Sequence, residues 1–295
     1  MTIHRLSASI VTYHSPPEEL RRLLESLCVA AENVRECFSY ATLAVHLVDN
    51  AETPTLDVRE LGLTPERLLA AGMSLTLHQG YGNVGYGAAH NRVLAKLDSD
   101  YHLLLNSDVE MAPESLIQAL DYLNSVAAEV ANPESGPRLP ALISPAATDF
   151  LGNKQHLCKA YPSLFILWLR GFAPPFMRRQ FAKRMAAYER RDLDSRPTAK
   201  DAAPRAAEVQ IASGCCMLCD TALLQQTGGF DPRFFLYFED FDLSLRLGKQ
   251  RPVVYLRAMK IRHGGGNAAS KGSTHQRYFM TSAARFFTKH GWRLF

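Results

Sequence analysis

Four times in its first half the chain shows the same succession: a short β-rich run, a few polar residues, then a stretch with helical spacing. Ser9 to Tyr13 reads as a strand, and Ser15, Pro16, Pro17 and Glu18 resemble a capping-box helix start with proline in the first helical positions. Leu43 to Val48 is a second strand, ending in Asp49 and Asn50. Met73 to Leu77 is a third, alternating Met73, Leu75 and Leu77 with Ser74 and Thr76, and a glycine-rich turn leads from it into a helix from about Gly87 to Leu97. A fourth, Tyr101 to Leu105, runs into Asn106, Ser107 and Asp108, after which Pro113 opens a helix carrying Leu116, Ile117, Leu120 and Leu123. Such βα steps predict an α/β protein with a mostly parallel, Rossmann-like sheet flanked by helices and polar residues gathered at the strand ends.

The pattern breaks in the middle. Asn132 to Pro140 holds three prolines and a glycine, and Tyr161 to Arg191 is apolar and basic, so both read as insertions. Order resumes with Glu208 to Leu218, a helix near Thr221 to Gln226, a last strand near Val253 to Tyr255, and an amphipathic C-terminal helix from about His275 to His290. No internal sequence repeat is present.

A hydrophobic content of 47% in 295 residues is enough for a buried core. The net charge of +4 is too slight an excess to argue for nucleic acid as a partner. No stretch approaches the ~18 apolar residues that span a bilayer, the longest candidate being Leu164 to Leu169. That segment, with Trp168 and the following Arg170, Arg178, Arg179, Lys183 and Arg184, suits either peripheral contact with an anionic membrane or an amphipathic helix packed on the sheet, interrupted at Pro174 and Pro175. The N-terminus has no signal-peptide hydrophobic region, which predicts a cytoplasmic protein, peripheral on the inner face of the membrane if it touches one, with six free thiols. Cys216 and Cys219 form a C-x-x-C with no second Cys or His pair at zinc spacing, the pattern of small residues in a core strand.

Several motifs carry possible chemistry. Gly80 to Gly85 matches G-x-G-x-x-G, but after the third strand rather than the first; a tight turn needing positive φ accounts for it as well as a dinucleotide site does. Asn106, Ser107 and Asp108 place a carboxylate where a divalent cation and phosphate oxygens can meet it, though the same residues favour a helix cap. Glu239, Asp240 and Asp242 crowd three acids among Phe235, Tyr237, Phe238 and Phe241, a setting that raises carboxyl pKa values toward those of a general base; acids at a helix start are the plainer alternative. His263, followed by Gly264, Gly265 and Gly266, offers a metal ligand beside a flexible loop, or merely a satisfied polar residue.

The order of these motifs is more specific than any one of them. Ile10-Val11-Thr12-Tyr13, Val48-Asp49-Asn50, Gly82 to Asn91, Leu105-Asn106-Ser107-Asp108, Gly229-Phe230-Asp231, Phe235 to Asp240 and Arg262-His263 together resemble the family 2 inverting glycosyltransferases, in their bacterial rhamnosyltransferase-like branch, which builds O-antigen, lipopolysaccharide and cell-wall glycans. The resemblance implies a GT-A fold with a smaller acceptor-side region and a C-terminal helix, a nucleotide-diphosphate sugar donor, Mg²⁺ or Mn²⁺ as cofactor, and single displacement at the anomeric carbon. It divides the chain into a nucleotide-sugar half over 1–130, an insertion over 131–207 facing acceptor or membrane, and an acceptor and catalytic half over 208–295. Carried over by residue, Thr12, Tyr13 and Asp49 resemble the base and ribose pocket, and Asn83, Gly85 and Asn91 the glycine-loop contacts to the donor. Asp108 resembles the last residue of a D-x-D metal motif whose first Asp is Asn106 here, with His263 as a second metal ligand. Asp240 resembles the catalytic base, with Glu239 beside it. The branch implies dTDP-L-rhamnose as donor and a lipid-linked or lipopolysaccharide saccharide as acceptor. Two other functions stay open on the residues alone: an NAD-dependent oxidoreductase using the Gly80 to Gly85 turn, and a non-catalytic sugar-nucleotide-binding module.

Overall fold

The computed structural model describes residues 5–38, 41–130, 138–195, 206–265 and 272–295. Its elements in chain order are β1 (Arg5–Thr12), α1 (Pro17–Cys37), β2 (Thr42–Asp49), α2 (Pro65–Ala70), β3 (Met73–His78), α3 (Tyr86–Leu94), β4 (Tyr101–Asn106), β5 (Val109–Met111), α4 (Ser115–Val130), β6 (Leu142–Thr148), β7 (Lys154–Gln155), β8 (Cys158–Lys159), α5 (Leu164–Gly171), α6 (Pro175–Gln180), α7 (Ala182–Tyr188), α8 (Asp192–Ser195), β9 (Ala206–Glu208), β10 (Ile211–Ala212), β11 (Cys216–Asp220), α9 (Thr221–Gln226), α10 (Glu239–Gly248), β12 (Val253–His263) and α11 (Ser273–His290).

One sheet runs in the order β3-β2-β1-β4-β11-β6-β12-β5, with β7 added to β6 and β9 to β12. The first four strands are mutually parallel, the arrangement of a Rossmann half whose ligands collect beyond the carboxyl ends of the strands. The strand β11 then runs antiparallel to both β4 and β6, while β6 and β12 are parallel to each other. This is the mixed sheet of a GT-A fold.

Strand alternation sorts the core into two layers. Leu103 and Leu105 of β4 face a cluster with Leu20, Leu23, Leu24 and Leu27 of α1 and Leu116, Leu120 and Leu123 of α4. Leu104 faces the other side, with Leu94 of α3, Leu224 of α9, and Leu243 and Leu247 of α10. The same alternation buries a polar chain: Ser9 Oγ lies 2.6 Å from His90 Nδ1 and 2.8 Å from His102 Nε2, and Ser7 Oγ lies 2.6 Å from His102 Nδ1. Burial pushes His90 down to about 3 and His102 well below the usual histidine range, so both are neutral.

Some local expectations are corrected. The capping box does not form: Pro16 is the N-cap of α1 without a side-chain bond, and Ser15 Oγ instead sits 2.8 Å from Ser107 Oγ, tying the ends of β1 and β4 together. The last strand is longer than Val253 to Tyr255; it reaches His263 because a register shift between Leu256 and Lys260 lets it continue along β6. The insertion over 161–191 is helical but packs on its own cluster of Ile166, Leu169, Ala173 and Tyr188 and, through Tyr161, Leu164 and Leu167, on Phe238, Phe286 and Phe287 rather than on the sheet. Cys216 and Cys219 are buried on β11. Residues 131–137 and Gly266 lie outside the described residues. Among the described residues no helix is long and apolar enough to cross a membrane.

Candidate active site

A cleft of about 540 Å³ opens beyond the carboxyl ends of β1 and β4, with Tyr13, Asn50, Asn83, Gly85, Asn106 and Asp108 in its wall. Thr12 and Asp49 do not line it. Both are 1% exposed. Asp49 accepts from the backbone N–H of Ala51 at 3.1 Å and of Thr55 at 2.7 Å, so it shapes the loop after β2 while its neighbour Asn50 faces the cleft. Asn50 in turn donates to Asn83 Oδ1 at 3.1 Å and accepts from Val84 N–H at 3.0 Å, which fixes the glycine-rich turn. Asn91 is likewise spent on structure: its amide donates to Phe230 O at 2.7 Å and accepts from Phe230 N–H at 2.9 Å.

Gly85 joins the turn to the acidic segment. Its φ is +89°, and a Cβ there would lie 2.4 Å from the Phe235 carbonyl oxygen, which accepts the Tyr86 N–H at 3.0 Å. Only glycine fits that approach. At the other end of the cleft Asp108 Oδ1 lies 3.4 Å from His263 Nε2, and Asn106 Nδ2 lies 3.5 Å from the same nitrogen. Gly264 approaches so closely that a Cβ would meet Asp108 Oδ2 at 3.0 Å, and Gly265 N–H donates to that oxygen at 3.2 Å. Burial alone would raise the Asp108 carboxyl, but the His263 contact and the Gly265 N–H outweigh it and hold it below the usual range.

The orientation of His263 is set from behind. Gln155 Nε2 donates to the His263 carbonyl at 2.9 Å, which leaves Gln155 Oε1 facing Nδ1 at 2.8 Å and turns Nε2 toward Asp108. Among the described residues no three acids, histidines or cysteines converge on one point. One carboxylate and one imidazole nitrogen do fit Mg²⁺ or Mn²⁺, whose remaining ligands would come from phosphate oxygens and water.

Asp240 stands at the start of α10. Tyr237 and Phe238 before it both take left-handed backbone conformations, with φ of +69° and +65°, a strain of roughly 1–3 kcal/mol each that the aromatic packing of Phe238, Phe279 and Phe286 sustains. Both Asp240 oxygens accept backbone N–H groups, from Gly214 at 2.8 Å and Phe241 at 2.9 Å. Tyr86 of the cleft wall donates to the Gly214 carbonyl at 2.7 Å, so the two walls meet at one glycine. Burial pushes Asp240 up to about 6 against the pull of these N–H groups. Glu239 is 5% exposed, and burial together with the adjacent Asp240 charge pushes it well above the carboxylate range. A second cavity, of about 460 Å³, has Glu239 and Asp240 in its wall and adjoins the first at His275, which lines both. Asp242 faces neither cavity wall and acts in the core: fully buried, it pairs with Arg246 at 2.8 Å, His290 at 2.7 Å and Lys289 at 2.6 Å and locks α11 to α10.

No family model matches the chain. It is 30% identical over 266 residues to the N-acetylglucosaminyl-diphospho-decaprenol L-rhamnosyltransferase of two strains of Mycobacterium tuberculosis, an alignment that spans 86% of this chain and 74% of the relative. The chain belongs to the rhamnosyltransferase-like family 2 glycosyltransferases. The fold agrees. Solved GT-A structures superpose across nearly the whole glycosyltransferase: GalNAc-T7 with UDP, GalNAc and Mn²⁺ at a TM-score of 0.58 and 12% identity, covering 97% of this chain and 48% of that one, and Staphylococcus aureus TarS 1-349 in complex with UDP-GlcNAc at 0.52 and 13%, covering 96% and 66%. The chain spans about half the length of GalNAc-T7. Family membership sets aside the oxidoreductase and the binding module, and the Gly80 to Gly85 turn serves as the positive-φ link to Phe235.

Sequence reasoning missed several residues that this glycosyltransferase brings to its two cavities. Thr274, His275 and Tyr278 come from α11, where amphipathic spacing marks a polar face without showing what it covers. Gln155 sits on a two-residue strand with no motif around it. Lys159 and Tyr188 line the second cavity with no motif around them, and Arg170, read from the sequence as a membrane-facing charge, lines it too.

Proposed function

We propose that this glycosyltransferase moves L-rhamnose from dTDP-L-rhamnose onto a lipid-linked saccharide by single displacement with inversion. The observation that carries this is Asp240, a carboxylate raised to about 6 on the wall of the second cavity and fixed through Gly214 to Tyr86 of the first. The first cavity takes the donor: Tyr13 and Asn50 stand at the base end, Asn83 and Gly85 along the diphosphate and sugar, and Asn106 and Asp108 at the far end. Thr12, Asp49 and Asn91 support that wall from behind. Asp108 and His263 would hold Mg²⁺ or Mn²⁺, which would supply Lewis-acid stabilisation of a diphosphate leaving group. Asp240 accepts the proton of the acceptor hydroxyl as the new bond forms, and burial beside Asp240 biases Glu239 toward its neutral form.

In this proposal residues 1–130 bind the nucleotide sugar, 131–207 face acceptor and membrane, and 208–295 complete the catalytic half. The rhamnosyl donor and diphospholipid acceptor follow from the mycobacterial relative's name. Contact with an anionic membrane rests on exposed Trp168, Phe172, Phe176, Leu294 and Phe295 beside exposed Arg178, Arg179, Lys183 and Arg184. The test is release of free nucleoside diphosphate from a panel of sugar nucleotides, with and without Mn²⁺ and an N-acetylglucosaminyl-diphospholipid. The proposal expects dTDP release from dTDP-rhamnose that needs both metal and acceptor. Turnover of a UDP-sugar with none of dTDP-rhamnose would overturn the donor.

A further inference from the structure

The second cavity is built for more than a neutral sugar. Its wall carries Lys159 and Arg170 on the same side as Tyr188, beyond the carboxylates Glu239 and Asp240. Lys159 is partly buried, and its ammonium donates to one group among the described residues, the His156 carbonyl, leaving two of its three N–H bonds unspent. Burial and the nearby Arg170 charge draw Lys159 down to about 8, which leaves it a cation at neutral pH. Arg170 lies over the Tyr188 ring at 5.5 Å and 3.6 Å from Glu189, a carboxylate that also answers Arg191 at 2.6 Å. The cluster therefore holds a surplus of positive charge facing a cavity.

On this wall Glu239 Oε2 has no hydrogen-bond partner, and the buried Tyr188 hydroxyl, which accepts from Arg170, has no acceptor for its own proton. An orphaned buried donor costs about 1–3 kcal/mol, a cost that an incoming ligand removes. The rim of the cavity is open, with the apolar Phe172 60% and Met280 59% exposed beside exposed Arg170 and Gln276. Exposure rises from Glu239 and Tyr188 through Arg170 to Phe172 and Met280, so acids, cations and apolar side chains follow one another outward as the groups do in a saccharide joined through phosphate to a hydrocarbon. A volume of about 460 Å³ is in the range of small-ligand sites, roughly 300–1,000 Å³.

We infer that this cavity grips the acceptor by its phosphate or diphosphate group, held by Lys159, Arg170 and the Tyr188 hydroxyl, while the hydrocarbon leaves over Phe172 and Met280. The inference deepens the proposed transfer to a lipid-linked saccharide and rests on it. It gives the 161–191 segment a binding role that composition alone does not reveal. Charge-assisted hydrogen bonds to phosphate supply the affinity, and the carboxylates at the inner end leave room for sugar hydroxyls alone.

The leaving nucleoside diphosphate shares this chemistry, so the test blocks the donor cleft first. Farnesyl diphosphate is titrated calorimetrically into the full chain saturated with dTDP and Mn²⁺. Binding is expected to persist there, farnesol to bind about tenfold or more weakly, and Lys159→Met and Arg170→Gln each to lose about tenfold or more in affinity. Lys159→Arg should recover part of the loss. Abolition of binding by dTDP, or variants that bind as the parent does while unfolding cooperatively, would overturn the inference. Should Lys159→Met fail to fold, Arg170→Gln decides, since its side chain is 40% exposed. The probe has no sugar and no turnover is read, so failure of rhamnosyl transfer and failure of this site give different results.

Discussion

Replacing Asp240 by Asn isolates proton acceptance from shape. A carboxyl at about 6 must lose its proton before it can act as a base, so turnover should rise with pH through 6 and level off above 7. At pH 5 about one molecule in ten carries the ionised form, whereas a carboxyl at its ordinary 3.8 would be ionised in nearly all of them. The parent enzyme should thus lose roughly tenfold between its plateau and pH 5. Asp240→Asn should fall by about 10²–10⁴-fold and show no such limb. The substitution also carries a structural cost that can be worked out. Both carboxylate oxygens accept backbone N–H groups, from Gly214 and Phe241, and an amide has one acceptor, so its NH₂ must face one of those donors at a loss of about 1–3 kcal/mol. Urea unfolding measures that loss separately, and nucleoside diphosphate release between pH 4.5 and 8 measures the rest. A parent profile flat to pH 5, or a folded variant with near-normal turnover, would refute Asp240 as the base.

Other expectations follow from the same geometry. Excess EDTA should abolish turnover and Mn²⁺ or Mg²⁺ restore it, while Asp108→Ala should stay inactive with metal present; full activity in EDTA would make the Asn106 to Asp108 turn a mere cap. Gly85→Ala forces a Cβ onto the Phe235 carbonyl at a backbone angle that suits glycine, so it should cost about 2–5 kcal/mol in urea unfolding and reduce turnover by displacing the segment that leads to Asp240. Because His90 and His102 are neutral in the fold and protonate when unfolded, stability should be complete above pH 6.5 and fall by about 2 kcal/mol per histidine by pH 5. Unfolding at both pH values checks this, and His90→Gln should flatten the slope.

What the sequence reveals here depends on whether a signal is local. Strand periodicity and the polar residues after β1, β2 and β4 locate the first cleft, because each lies within a few residues of the pattern that announces it. Register is not local: Thr12 and Asp49 lie one position too deep, and the adjacent Tyr13 and Asn50 reach the cleft, a difference of one residue that flips a strand side chain to the other face. Nor is distant pairing legible. Gln155 acts on His263 across 108 residues through the β6–β7 hairpin, and Lys159 and Asp240, 81 residues apart, line one cavity. Asn91, inside a family motif, makes its bonds to Phe230, a pairing across 139 residues that no local pattern announces.

The left-handed pair Tyr237 and Phe238 has a consequence for anyone who sets out to make this protein more heat-resistant. A laboratory selection that scores survival alone will favour glycine or asparagine at position 237, since either relaxes the backbone there. The Tyr237 hydroxyl, however, lies 2.8 Å from His275 Nδ1, and the bend it shares with Phe238 aims the first turn of α10. Hardier variants drawn from such a screen should therefore prove sluggish enzymes, and heat challenge needs to be paired with a turnover screen from the first round.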